Sequence, residues 1–112
     1  MGRLTTHVLN AAEGIPASGI TIRLLRNGQL LHETKTNADG RCDTPPLEGD
    51  AFTAGSYTLA FHAADYFRGR GVALSNPPFL DIIDLAIGLT GDGNFHVPLL
   101  VSPWAYSTYR GS

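Results

Sequence analysis

Two imidazoles, one guanidinium and a chain end crowded with hydrogen-bonding groups carry the reactive chemistry of this sequence, and they lie far apart along it. His7 sits near the start, Arg41 follows the turn Asn37-Ala38-Asp39-Gly40, His96 lies in an apolar run, and the last residues are Tyr109-Arg110-Gly111-Ser112. Imidazole titrates near neutrality, so a pair of histidines can accept and return a proton at pH 7. A guanidinium keeps its charge and offers paired donors to a flat, carbonyl-rich molecule or to a developing oxyanion. A phenol, a hydroxyl and a carboxylate within four positions make the chain end an expected part of a binding site.

Taken singly, each residue has a plainer reading. His7 reads as a half-exposed strand histidine, Arg41 as a solvated turn residue, and Tyr109 as a packed or interfacial aromatic. His96 fits a plain reading less well, because it shares a strand face with Pro98 and Leu100, an awkward home for an exposed imidazole. His32 and His62 sit in surface-like alternations. Asp39 suits a turn, Asp65 a helix start and Asp92 a loop, while Asp81 and Asp84 flank a strand without forming an acid/base pair. Gly69-Arg70-Gly71 lacks the spacing of a phosphate loop, and no serine stands in a nucleophile elbow. Two histidines without a third ligand at recognisable spacing make a metal site unexpected, and no cofactor is expected.

Short alternating runs cut by turn residues must position these groups, which is the signature of an all-β chain. Leu4–Leu9 alternates, with Thr5, His7 and Leu9 on one face. Ile20–Leu25 leads into Asn27-Gly28, a dipeptide suited to a tight hairpin, and Leu30–Thr36 returns as its partner. A loop at Pro45, Pro46 and Gly49 precedes a short edge strand around Phe52. Ser56–His62 alternates, Ala63–Arg68 is the one short helix, and Gly69 to Pro78 forms the longest loop. Asp81–Leu89, Phe95–Val101 and Trp104–Arg110 complete seven to eight strands, an arrangement that predicts a two-sheet β-sandwich. Phe95–Val101 is apolar on both faces, so both faces should be covered, one by the core and one by a neighbouring subunit. Pro98 within it removes a ladder donor and conflicts with an interior strand.

At 112 residues the chain is expected to form one domain, 1–112, burying about 65% of its unfolded surface. Apolar residues make up 43% and charged ones 16%, too little charge for a free-standing small protein, so an oligomer is expected. The net charge of −2 with no basic block argues against a nucleic-acid partner. Cys42 is the only cysteine, which forbids an intrachain disulfide and suits a reducing compartment. No run is long enough to span a bilayer and the N-terminal residues have no apolar signal core, so no membrane association and a cytoplasmic location are expected.

Four segments together are less ordinary than their members. Leu4-Thr5-Thr6-His7-Val8-Leu9-Asn10, Asn37-Ala38-Asp39-Gly40-Arg41-Cys42, His96-Val97-Pro98-Leu99-Leu100-Val101-Ser102-Pro103-Trp104 and Tyr106-Ser107-Thr108-Tyr109-Arg110-Gly111-Ser112 resemble the transthyretin-like family, and within it the branch that hydrolyses 5-hydroxyisourate. The resemblance runs end to end, and the terminal Tyr-Arg-Gly-Ser is its most specific part. It implies a transthyretin-like sandwich assembled as a homotetramer, a dimer of dimers, with active sites on the walls of a central channel. It also implies opening of the substrate's lactam ring by base-assisted water attack, without metal or cofactor. By the same resemblance the substrate-contacting residues are His7, Arg41 and Tyr109; water activation is assigned to His96 with Ser112, the sequence itself leaving either histidine as the base. Two departures stand out: Asn10 where Asp is common, and Asn94-Phe95 before His96 where a Tyr is frequent. The competing reading is a non-enzymatic carrier of hydrophobic small molecules in the same channel, which would call for a less polar wall.

Overall fold

Turn chemistry cuts this protein, seen here in a computed structural model describing residues 2–111, into short strands. They are β1 (Arg3–Asn10), β2 (Ile15–Pro16), β3 (Thr21–Arg26), β4 (Gln29–Lys35), β5 (Leu47–Glu48), β6 (Gly55–His62), β7 (Ile82–Leu89), β8 (Asn94–Val101) and β9 (Tyr106–Thr108). A 3₁₀ turn spans Gly49–Ala51, and the helix α1 covers Ala63–Gly69. β2 and β5 are two-residue ladders, and the longer strands match the expected count. Asn27 and Gly28 both take positive φ, 53° and 77°, the conformation a two-residue hairpin needs between β3 and β4.

Two sheets face each other. One runs β2-β1-β8-β9 with β5 also paired to β1, and the other runs β4-β3-β6-β7. Period-two alternation sends Leu4 and Val8 of β1, Leu99 and Val101 of β8, and Leu24, Leu59 and Phe61 of the opposite sheet into one fully buried core. Burial of each such side chain stabilises by about 1.5–3 kcal/mol, which fixes strand register firmly. The central pair of the first sheet is parallel: β1 lies against β8 from Arg3↔Asn94 to Asn10↔Val101. Thr6 Oγ1 donates to the Val97 carbonyl at 2.7 Å and pins that register from the inside.

Asn10 is buried at the end of β1. Its Oδ1 accepts the Ala12 and Glu13 N–H groups at 3.1 Å, and its Nδ2 donates to the Tyr66 hydroxyl on α1 at 3.2 Å. It therefore caps the turn and docks the helix. Arg70, just past α1, pairs with Glu13 on the same turn. Among the described residues no helix is long and apolar enough to cross a membrane.

Two elements differ from the sequence reading. Phe52 is not in an edge strand: it is buried after the 3₁₀ turn and stacks on Phe95 with ring centroids 6.1 Å apart. The short strand falls earlier, at Leu47–Glu48, because Phe52 gains more by burial than by pairing at an edge. The last strand is also shorter than Trp104–Arg110. Ser102 Oγ accepts the Trp104 and Ala105 N–H groups at 3.3 and 3.1 Å, which holds Trp104 in a turn.

Candidate active site

The outward face of the first sheet carries the polar groups, arranged as rungs across its strands. In the parallel β1–β8 pair, Arg3 stands opposite Asn94, Thr5 opposite His96, and His7 opposite Pro98. Side chains directly opposite one another, and those two residues along, share a face. Two histidines separated by almost the whole chain therefore lie diagonally on neighbouring strands.

Arg41 is brought to the other edge of β1 by a tightly knit turn. Asn37 Oδ1 accepts the N–H groups of Asp39 at 2.9 Å and Arg41 at 3.2 Å, while the Asn37 N–H donates to the Arg41 carbonyl at 2.7 Å. The Val8 N–H donates to the Gly40 carbonyl at 2.8 Å, and Arg41 bridges His7 as an isolated antiparallel pair. Gly40 is obligatory here on two counts. Its φ is +75°, and a Cβ would lie 2.4 Å from the Val8 carbonyl oxygen.

The far edge of β8 takes the chain end. The β8–β9 register, Leu99↔Thr108, continues unchanged to a bridge between His96 and Gly111. Tyr109 thus falls opposite Pro98 and is 60% exposed, and with Thr108 and Arg110 it lines an apolar depression of about 280 Å³ beside Phe95, Val97 and Ile87. Pro98 has no N–H to give across this pair. Instead the Thr108 hydroxyl donates to the Pro98 carbonyl at 2.7 Å, and pairing resumes where the Gly111 N–H donates to the His96 carbonyl at 2.7 Å. An interior proline is tolerated because a side chain and the next rung carry the pairing. Arg110 covers Phe95, its guanidinium 4.2 Å from the centroid of the Phe95 ring and its Nη2 donating to the Asn94 carbonyl at 3.4 Å. Gly111 meets the polar face at His96, and Arg110 closes the sandwich edge. Ser112 lies outside the described residues.

His96 is the most constrained member. Its Nδ1 is 2.8 Å from Thr5 Oγ1, and a Cβ on Gly111 would sit 2.8 Å from its Cδ2. Partial burial, and then the positive charges of Arg41 and His7, push its pKa below the usual imidazole value. It is therefore neutral at pH 7. Arg41, His96, Thr5, Arg3 and Asn94 line one open depression of about 440 Å³, and a smaller one of about 140 Å³ adjoins it at Thr5, Thr6, Arg41, Cys42, Pro45 and Pro46. His7 stands beside this depression on the outward face of β1 without lining it, whereas Tyr109 lines a separate one with Phe95 and Val97 and is not brought to His96 and Arg41 within this chain. Burial and the nearby Asp43 carboxylate push the Cys42 thiol up to about 11, so it stays protonated and unreactive at neutral pH. Among the described residues no three metal-ligating side chains meet.

Sequence reasoning missed Thr5 as a functional partner, although its alternation with His7 was the available signal. Of the departures noted above, Asn10 caps a turn and Phe95 faces the core, away from the reacting groups, whereas Asn94 lines the depression beside His96.

A profile of the HIUase/Transthyretin family matches residues 4–111. The chain belongs to this family. Within the HIUase/Transthyretin family, it is 56% identical to a 5-hydroxyisourate hydrolase of Pseudomonas aeruginosa, covering 100% of this chain and 93% of that one. It superposes on the structure of Klebsiella pneumoniae 5-hydroxyisourate hydrolase with a TM-score of 0.86 at 33% identity, covering all of both chains. It also matches a crystal structure of (S)-allantoin synthase, with a TM-score of 0.92 and 45% identity over 99% of this chain, but spans only 44% of that longer protein.

Proposed function

We propose that the polar face of the β1–β8 pair hydrolyses the lactam of 5-hydroxyisourate, with His96 as the base that activates water. The chain is an enzyme of the 5-hydroxyisourate hydrolase branch. Full-length identity of 56% to a relative of that name supports this, and the single structural observation that carries it is the imidazole of His96 held between Thr5 and Gly111 in one depression with Arg41.

Water is a poor nucleophile at neutral pH, so a positioned base contributes about 10²–10⁴-fold. For His96 Nε2 to accept water's proton, Nδ1 must carry the ring hydrogen and donate it to Thr5 Oγ1, which their 2.8 Å separation permits. Oxygen then bonds to the lactam carbonyl carbon and an oxyanion forms. As His96 becomes cationic beside Arg41, that negative charge appears between them, so the repulsion that adds to burial in lowering the imidazole's proton affinity is relieved in the transition state. Arg41 supplies donors to the oxyanion and to the ring carbonyls. Collapse breaks the C–N bond, and the leaving nitrogen takes the proton back from the imidazolium. His7 and Tyr109 hold the ring, Tyr109 by stacking its exposed face on the planar substrate. Ser112 is assigned to the water site through its hydroxyl. No step in this sequence calls on a metal or cofactor.

The proposal extends to the whole chain as one domain, assembled as a homotetramer in the cytoplasm. The exposed Trp104, Tyr106 and Tyr109 on and beside β9 support a covered face, and the single free thiol of Cys42 suits a reducing compartment. The test is kinetic. 5-Hydroxyisourate generated in the cuvette from urate and a urate oxidase absorbs in the ultraviolet and decays spontaneously. Catalytic amounts of the pure protein should accelerate that decay severalfold or more. An unchanged decay, with the substrate merely bound, would return the chain to the carrier reading.

A further inference from the structure

We propose that Arg3 is a second anion-binding guanidinium of this site, placed to hold the carboxylate that ring opening creates. The inference rests on the hydrolase reading and deepens it. Arg3 shares the outward face of β1 with Thr5 and His7, two and four residues along, and stands opposite Asn94 on β8 just as Thr5 stands opposite His96. Its side chain is exposed and lines the same 440 Å³ depression as His96 and Arg41. The Thr5–His96 rung is thereby flanked by a guanidinium on each side. Arg41 comes in at the His7 rung and Arg3 at the next rung the other way, about 13 Å apart along the strand at 3.3 Å per residue, a span two long side chains can close around one small ring.

Charge balance in the reaction gives that second cation its work. Water's oxygen bonds to the lactam carbon, the C–N bond breaks, and the nitrogen keeps one of water's hydrogens. The new carboxylic acid then ionises at neutral pH, so the product carries one negative charge that the lactam lacked. Arg41 is committed to the ring carbonyls and the oxyanion. Among the described residues neither Arg3 nor Arg41 takes part in an ion pair within 4.0 Å, and no carboxylate lines the depression they share. The nearest acidic side chain in the ladder is Glu48, opposite Arg3 on β5. It lines a neighbouring depression with Gly2, Arg3, Gly49 and Asn94 and makes no ion pair with Arg3. A guanidinium so placed binds the product carboxylate with two donors.

The experiment compares wild type, Arg3→Gln and Arg3→Lys in the ultraviolet decay assay, with and without freshly accumulated product, at low and high ionic strength. Arg3→Gln should lower kcat/KM by about 5- to 10-fold and weaken product inhibition by a similar factor, the scale of a partly screened charge-assisted contact. Arg3→Lys should recover most of both, and added salt should weaken product inhibition in wild type more than in Arg3→Gln. If wild type accelerates the decay while Arg3→Gln keeps the same product inhibition and salt response, the assignment of Arg3 is overturned and the hydrolase reading stands. A wild type without acceleration sinks both. Thermal melts of the three proteins should coincide, and a lowered melt that Lys does not restore would make Arg3 structural and overturn the proposal.

Discussion

The two faces of the β1–β8 ribbon share one backbone and do opposite jobs. Inward, Leu4, Val8, Leu99 and Val101 are fully buried, with no exposed surface at all. Outward, Arg3, Thr5, His7, Asn94 and His96 are partly or fully exposed, polar, and held by few contacts. Register is set on the dry face, where a one-residue slip would turn the core out into water. The wet face inherits that register at no further cost. This is why the imidazoles can be arranged for chemistry although nothing on their own side would hold two strands together.

The division is sharpest at the largest effects. His96→Asn keeps a similar shape and the ability to meet Thr5, but removes the base. Turnover should fall about 10²–10⁴-fold, with thermal stability and assembly unchanged. Near-wild-type kcat in this variant would move the base elsewhere, to His7 first. Leu99→Ala, one strand face away from the site, should do the reverse. It destabilises by about 2–5 kcal/mol in a chemical denaturation curve, while kcat per folded molecule stays close to wild type. A large kcat loss in a fully folded Leu99→Ala protein would show that the faces are not separable.

Gly111→Ala tests the seam between them. The added methyl meets an imidazole that Thr5 tethers from the other side, so the ring must shift. A displacement on the order of 1 Å at a catalytic group can cost about 10²-fold in rate. The loss should appear in kcat with little change in KM, and Gly111→Ala should melt with wild type. Unchanged kcat would mean that the His96 ring absorbs the methyl without losing its aim.

How much of this was legible in the sequence follows from the same contrast. Alternation of Leu4, Thr6 and Val8 against Thr5, His7 and Leu9 reads directly, because strand faces are local. So does Asn27-Gly28, whose positive φ values are a property of two residues. The sandwich and the outward placing of His7 and His96 were therefore visible. The parallel pairing that puts Thr5 beside His96 was not, since it joins residues at the two ends of the chain and nothing local encodes their register. Pro98 misled for a related reason: a strand interior without a donor looks like an edge until Thr108 and Gly111 are seen to bracket it. Phe52 was misplaced because its partner Phe95 is distant. The family resemblance supplied the grouping of His7, Arg41, His96 and the terminus, which periodicity alone left open.

The smallest effect separates the causes that keep His96 neutral. Its pKa is lowered by burial first, and then by the charges of Arg41 and His7. As the base must be unprotonated, activity should be flat through neutrality and fall as pH drops below the lowered value, by about tenfold per unit once well past it. The sign for stability is the same. The unfolded chain binds the proton at about 6.5 and the folded chain only below that, so this contribution is full above the unfolded value and is lost as pH falls through the folded one. Arg41→Gln removes one of the two charges and none of the burial. The plateau of kcat should fall, because an oxyanion donor is lost, KM should rise, and the acid limb of kcat should move upward toward the ordinary imidazole value without reaching it. A limb that stays in place would assign the shift to burial alone, and a limb that moves down would mean Arg41 had been stabilising the imidazolium. Only the limb that stays in place would mean that the polar face is tuned by the packed face beneath it more than by its own charges.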